Sequence, residues 1–159
     1  MAKPYNALEL DALKEIVNIG GGNAATSISQ LIEKPVHMTV PVIEALSYDE
    51  VFAHIMAEDT VVKAILTRIL GDANGVFLFV GRQEDLTGVA KMMLPTEEVS
   101  EELIDSALKE LVNIVVNAFL NAVTKLLDLE LMSSVPLLTE DLFGSIVSSV
   151  YLEQGQYND

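Results

Sequence analysis

Hydrophobic and polar positions recur along this chain with a helical period in two long stretches. Apolar or small residues return every three or four positions over residues 10–31, and the pattern appears again over residues 108–126. Each stretch predicts an amphipathic helix with one buried stripe. The stripes consist of Leu10, Leu13, Val17, Gly20, Ala24, Ile28 and Leu31 in the first helix and of Leu108, Val112, Val115, Phe119, Ala122 and Leu126 in the second.

Shorter signals fill the rest of the chain. Residues 36–43 and 130–138 each predict a strand that contains a proline, and therefore a strand at an edge or a bend of a sheet. The run "VVKAILTRIL", "GDANG", "VFLFVGR" predicts a hairpin, and a helix follows over 84–94. The stretches "SYDEVFAHI" and "EDLFGSIVSSVYLEQ" predict two more helices, and "PTEEVSEEL" offers Thr96 or Ser100 as the cap of the second long helix.

The chain also repeats itself at a constant offset of 95 residues. Placing "DALKEIVNIGGGNAAT" above "SALKELVNIVVNAFLN" aligns Glu15 with Glu110 and Asn18 with Asn113 without a gap. The repeat predicts one duplicated unit with pseudo-twofold symmetry, in an α/β (α+β) fold with two long helices packed beside a central β-sheet.

The second unit is the shorter one. We expect a single domain over 1–159, with repeats at about 8–94 and 103–159, and the hairpin of the second repeat would fall at about 156–177. The chain is therefore either shortened or complete with one hairpin. A sheet without those strands has an unpaired edge, which predicts a possible homodimer through that edge.

The amino-acid composition excludes several classes of partner and function. The 159 residues are 50% hydrophobic and carry 24 acidic against 9 basic side chains, a net charge of −15. Such a surface repels nucleic acid and anionic membranes, so neither is an expected partner. Polar residues interrupt the most apolar stretch, from Leu111, too often for membrane insertion, and there is no cysteine. His37 and His54 have no acidic residues at metal-ligand spacing. We expect a cytoplasmic protein without a metal of its own.

Each long helix places a carboxylate and a carboxamide one turn apart, on an arc of roughly 80° that lies away from the apolar stripe. On a single helix, such a face is usually only solvated. Its recurrence in both units favours a function instead. A carboxamide orients water with one donor and one acceptor, and a carboxylate pairs with a cation of another molecule. The two faces consist of Asp11, Glu15, Asn18 and Gly22 and of Ser106, Glu110, Asn113 and Asn117.

These residues form the pattern Asp/Ser-x3-Glu-x2-Asn-x22-Pro, which resembles the signature of the CheC/CheX/FliY chemotaxis phosphatases. Two copies in one chain resemble CheC rather than CheX, which has a single site, and we expect no FliN-like C-terminal domain of the kind that FliY has. The two copies are Asp11, Glu15, Asn18 and Pro41, and Ser106, Glu110, Asn113 and Pro136.

The resemblance implies an activity: hydrolysis of the aspartyl phosphate of the response regulator CheY. It implies that Glu15 or Glu110 engages a lysine of the regulator, and that Asn18 or Asn113 aligns the attacking water. It implies no cofactor for this chain, since Mg²⁺ belongs to the regulator, and it implies the receptor deamidase CheD as a second partner. The alternative is a non-catalytic adaptor that binds CheD or the flagellar switch.

Three consecutive glycines follow Asn18, although an interior glycine costs a helix about 1 kcal/mol relative to alanine. We expect Gly20, on the apolar stripe, to let another backbone approach closely, and Gly22 to leave the site open to a docking protein. At the second site Val116 and Asn117 replace two of these glycines. The local sequence therefore predicts a more restricted approach there and favours the first site.

Overall fold

The computed structural model describes residues 5–39 and 42–155, and within these ranges it contains five helices and four strands. None of the helices in this part of the chain is long and apolar enough to cross a membrane. In chain order the elements are α1 (Ala7–Ile32), α2 (Tyr48–His54), β1 (Val61–Gly71), β2 (Gly75–Gly81), α3 (Gln83–Met93), α4 (Glu101–Leu127), β3 (Leu131–Ser133), β4 (Leu137–Leu142) and α5 (Phe143–Gly155).

Strand β1 lies at the centre of an antiparallel sheet. It pairs with β2 along one edge and with both β3 and β4 along the other. The predicted β1–β2 hairpin is therefore confirmed. Across the strands that the structure describes, the outer edge of β2 has no partner, and pairing of a second copy at such an edge stays a prediction.

The hairpin turn holds the end of α4 against the sheet. Gly71 has φ +123°, and a Cβ added there would collide with the Glu130 carbonyl oxygen, so glycine is required. The Asp72 backbone N–H donates to that same carbonyl at 2.9 Å. The Glu130 N–H donates in return to Asp72 Oδ2 at 2.7 Å.

Successive side chains of β1 serve two different cores, because they point to opposite faces of the sheet. Ile65 packs with residues of α3 and α4, such as Leu86 and Leu108. Val62 and Ala64 pack on the other face with residues of α5. Helix α1 packs on the outer side of α4. The layers are therefore α1, then α4 with α3, then the sheet, then α5 with α2, which confirms the predicted mixed α/β class.

Both long helices begin at a side-chain cap. The Asn6 side chain accepts a hydrogen bond from the Glu9 backbone N–H at 2.9 Å, and Glu9 accepts one from the Asn6 N–H at 2.8 Å. For α4 the cap is Ser100, one of the two predicted candidates, and its Oγ accepts from the Leu103 N–H at 3.2 Å. The caps satisfy backbone donors that the first helical turn leaves unpaired.

The helices also end at matching positions. The C-caps Glu33 and Asp128 have φ of 55° and 53°, both in the left-handed region, and they are separated by the offset of the sequence repeat. Such agreement is expected of a duplicated unit, although the duplication itself stays a prediction.

The strand predicted over 36–43 is wrong for the residues that the structure describes. Residues 36–39 and 42–43 have no regular structure. The Val36 N–H donates to Ser29 Oγ at 2.9 Å, which turns this segment back onto the end of α1. Both edges of β1 are already occupied. Pro41 lies outside the described residues.

The strand predicted over 130–138 is present, but as two short strands. Pro136 stands between β3 and β4, as expected of a residue that lacks a backbone donor. Beside it, Ser134 exchanges two hydrogen bonds with Arg68 of β1, each 2.9 Å long. The helix predicted from Glu140 begins at Phe143, because the three residues before Phe143 pair with β1.

The apolar stripe of α1 is buried only in its C-terminal half. Ala24 and Ile28 are buried, whereas Leu13 is 37% and Leu31 51% exposed. The predicted burial of these two leucines is wrong, since α1 packs mainly on α4 and not on the sheet. In α4 the stripe is buried at Leu108, Val112 and Ala122, half-buried at Val115 and Phe119, and exposed near its end, where Leu126 is 52% exposed.

Gly20 lies where the backbones of the two long helices are close together. A Cβ added to Gly20 would lie 3.0 Å from Phe119 Cα and 3.0 Å from Phe119 Cδ2. The first of these atoms is backbone and cannot rotate away. The predicted reason for glycine at this position, close approach of another backbone, is confirmed.

We therefore expect Gly20→Val to lower the free energy of unfolding by about 1–3 kcal/mol, because the added atoms force α1 away from α4. Urea denaturation followed by circular dichroism measures this change. The matched control is Gly22→Ala, two residues along the same helix, where a Cβ meets nothing within 4 Å. That control should gain up to about 1 kcal/mol from helix propensity. Equal loss in both variants would contradict the packing role of Gly20.

Candidate functional site

The first candidate site lies on the solvent side of α1. Asp11, Glu15 and Asn18 are all exposed, as the sequence predicts. Gly22 is exposed as well, and a Cβ added there would have no neighbour within 4 Å. The fold of this chain therefore gives no packing reason for glycine at position 22. Its absent side chain leaves open space one turn beyond Asn18.

The second candidate site lies at the corresponding place on α4. Ser106 and Glu110 are exposed and Asn113 is half-buried. Pro136 is half-buried at the break between β3 and β4, on the sheet edge that α4 packs against. The structure thus places the carboxylate and the carboxamide of each helix on its outward side, one turn apart.

The four central side chains are available to a partner. Within residues 5–39 and 42–155, the side chains of Glu15, Asn18, Glu110 and Asn113 make no hydrogen bond or ion pair. An exposed carboxylate accepts hydrogen bonds from a cation, and a carboxamide both donates and accepts. Neither residue type is a strong nucleophile at neutral pH, so the arrangement fits docking and water placement rather than covalent catalysis.

The predicted obstruction of the second site is wrong for Val116. Its side chain is fully buried in the core between α4 and the sheet, so it points away from Glu110. Asn117 is exposed, but its Oδ1 accepts a hydrogen bond from Ser133 Oγ at 3.3 Å. This contact directs the Asn117 side chain towards β3.

A shallow groove of about 720 Å³ borders the first site. It runs between the last turns of α1 and the segment that folds back on them, and Gly22 lies at one end. Thr26, Ser29 and His37 contribute its polar lining. His37 is exposed there. In the part of the chain that the structure describes, no three residues of the types His, Cys, Asp and Glu converge as metal ligands would.

One polar pair near the second site was not predicted. Lys63 of β1 donates to Asp105 of α4 at 2.8 Å, and Asp105 directly precedes Ser106. The available signal was a lone lysine in the apolar run "VVKAILTRIL". The partner could not be read from the sequence, because it lies 42 residues away.

Comparison with known proteins decides the family. The sequence model of the CheC-like family matches residues 8–44, which include Glu15 and Asn18. A curated protein of Bacillus subtilis (strain 168), described as CheY-P phosphatase CheC, is 31% identical over 157 residues, and the match covers 95% of this chain and 75% of that protein. This chain belongs to the CheC-like family.

Solved structures show the same fold for this CheC-like chain. The crystal structure of Thermotoga maritima FliY matches with a TM-score of 0.74 at 22% identity, over 89% of this chain and 72% of that one. A chemotaxis protein CheX from Desulfovibrio desulfuricans matches with a TM-score of 0.58 at 14% identity, over 80% and 79% of the two chains. The predicted CheC-like fold is confirmed.

Because the four central side chains are unbonded, removing them should leave the CheC-like fold intact. We expect Glu15→Ala, Asn18→Ala, Glu110→Ala and Asn113→Ala each to change the free energy of unfolding by no more than about 0.5 kcal/mol. The contrasting variant is Leu108→Ala in the core, which should lose about 2–5 kcal/mol. Urea denaturation provides both values. A loss above 2 kcal/mol at any of the four positions would show that it supports the fold.

Proposed function

We propose that this protein hydrolyses the aspartyl phosphate of a CheY-type response regulator in the cytoplasm. Asn18 and Asn113 align the attacking water, and Glu15 and Glu110 hold the regulator through one of its lysines. The protein needs no cofactor of its own, because the Mg²⁺ at the phosphorylated aspartate belongs to the regulator.

One observation carries this proposal: the same Glu–Asn pair stands outward and unbonded on both long helices of a CheC-like protein. Asparagine is a poor helix former, so the helices gain nothing from it in their own stability. The relative with 31% identity is described as a CheY-P phosphatase, which supports the same substrate class. The surface charge of −15 favours encounter with a basic partner surface.

Hydrolysis of the aspartyl phosphate requires correct placement of a water molecule more than it requires a reactive side chain of this protein. The water oxygen forms a bond to phosphorus as the bond between phosphorus and the aspartyl oxygen breaks, giving inorganic phosphate and a free carboxylate. Water positioning by a carboxamide is an established device in phosphoryl hydrolysis. Holding the water in line with the breaking bond replaces an entropically costly search.

The decisive experiment follows phosphate release from a phosphorylated CheY-type regulator. We expect the wild-type chain to accelerate release, each of Asn18→Ala and Asn113→Ala to lose part of that rate, and the double variant to lose about 100-fold. The control is Asn121→Ala, an exposed asparagine of α4 outside both motifs, which should keep the full rate. If wild type gives no acceleration, the enzyme proposal fails and a non-catalytic adaptor that binds CheD or the flagellar switch gains.

A docking role of the two glutamates predicts a different effect on the kinetic constants. Glu15→Ala combined with Glu110→Ala should raise KM about tenfold and leave kcat nearly unchanged, because the lost ion pair contributes to binding before and during the reaction. Raising the salt concentration should raise the KM of wild type more than the KM of this variant, since exposed ion pairs are screened. A fall in kcat at unchanged KM would contradict lysine docking and would assign the glutamates to the chemical step.

A further inference from the structure

Lys63 is a charged residue near the start of β1, the central strand of the sheet. Its side chain is 5% exposed, and its neighbours on β1, Val62 and Ala64, are fully buried. Taking an ammonium group out of water is unfavourable unless a partner compensates it. The partner is Asp105 of α4, whose Oδ1 accepts a hydrogen bond from Lys63 Nζ at 2.8 Å and whose side chain is 36% exposed.

The pair acts on the part of α4 that carries the second site. Asp105 is adjacent to Ser106, and on the same helix Glu110 follows it after about one and a half turns and Asn113 after slightly more than two. The other contacts that hold this part of α4 to the sheet are apolar, with Ile104 and Leu108 in the common core. Apolar contacts are non-directional, whereas an N–H···O bond requires a defined distance and angle.

Within residues 5–39 and 42–155, the helix of the first site has no corresponding ion pair. At the offset of the repeat, the position of Asp105 is taken by Leu10, which cannot pair with an ammonium group. No residue of α1 before Gly20 is buried, including the turns that carry Asp11 and Glu15. The two sites therefore differ in how firmly their helices are held.

We propose that Lys63 is a positioning residue of the second site: its bond to Asp105 fixes the rotation of α4 about its own axis, so that Glu110 and Asn113 face a docked regulator together. This inference rests on the proposed phosphatase function. A role in orientation also explains why an ion pair occupies this place, because a buried pair generally contributes no more stability than apolar residues of the same size.

The test compares one substitution in two backgrounds. Lys63→Met is combined with Asn18→Ala, which leaves only the second site, and separately with Asn113→Ala, which leaves only the first. We expect kcat for the phosphorylated regulator to fall about tenfold in the first background and less than about twofold in the second. An equal fall in both would show a general structural role, and no fall in either would show that the pair does not position the site. Either result overturns the proposal.

Variants on the same strand keep the result interpretable. Lys63→Arg should restore most of the second-site rate, since it preserves the charged donor. Arg68→Met removes the other ion pair of β1, to Glu153 of α5 at 2.6 Å, and should affect neither site. The double variant Lys63→Met with Asp105→Leu replaces the pair by apolar groups and should unfold at a urea midpoint near that of wild type. If this double variant folds and keeps the full second-site rate, the inference is wrong.

A readout without catalysis separates this inference from the proposed function. In nuclear magnetic resonance spectra of the free protein, Lys63→Met should shift the side-chain amide signals of Asn113 and leave those of Asn18 unchanged. If phosphate release shows no acceleration at all but this selective shift is present, the phosphatase proposal fails and the positioning by Lys63 stands. Unchanged Asn113 signals would overturn the inference whatever the phosphatase assay shows.

Discussion

The packing of α4 on the central strand β1 is the contact on which the rest of this protein depends. Ile65 of the strand and Leu108, Val112 and Val116 of the helix are fully buried in one common core. Each such side chain contributes about 1.5–3 kcal/mol when it leaves water, and all four do so in the same layer. Other side chains of α4 contact α1, α3 and the strands β3 and β4. One helix therefore holds the sheet, supports its counterpart and presents the second site.

The first site is consequently connected to the sheet only indirectly. Helix α1 reaches the sheet through α4, and the two helices lie close together at Gly20 and Phe119. Before that contact the side chains of α1 are at most half-buried, so the turns with Asp11 and Glu15 depend on partial packing together with helix propensity and the Asn6 cap. The sequence alone favours the first site, because glycine follows its asparagine. The structure favours the second site instead, because α4, which has bulkier residues after its asparagine, is packed more firmly than α1.

The features that depend on residues close together in the sequence were predicted correctly. The hairpin follows from β-branched residues around "GDANG", the cap of α4 from Ser100, and the outward faces of both long helices from their period. The strand expected at 36–43 failed because the Val36 N–H donates to Ser29 Oγ and holds the segment against the end of α1, a contact that the alternation of apolar residues does not reveal. The exposure of Leu13 and the bond between Lys63 and Asp105 could not be predicted from the sequence either. Both depend on which helix covers the sheet, and nothing in the helical period decides that.

The charges of this protein act at two different ranges. The excess of 15 negative charges makes a field that attracts a basic partner, but salt screens it beyond about 8 Å at physiological ionic strength. It speeds encounter without fixing an orientation. Orientation requires short contacts on a rigid support, and in α4 a directional ion pair on the sheet side complements the free Glu110 on the solvent side. The partly buried pair and the exposed carboxylate are thus parts of one arrangement, in which the helix is fixed before the partner arrives.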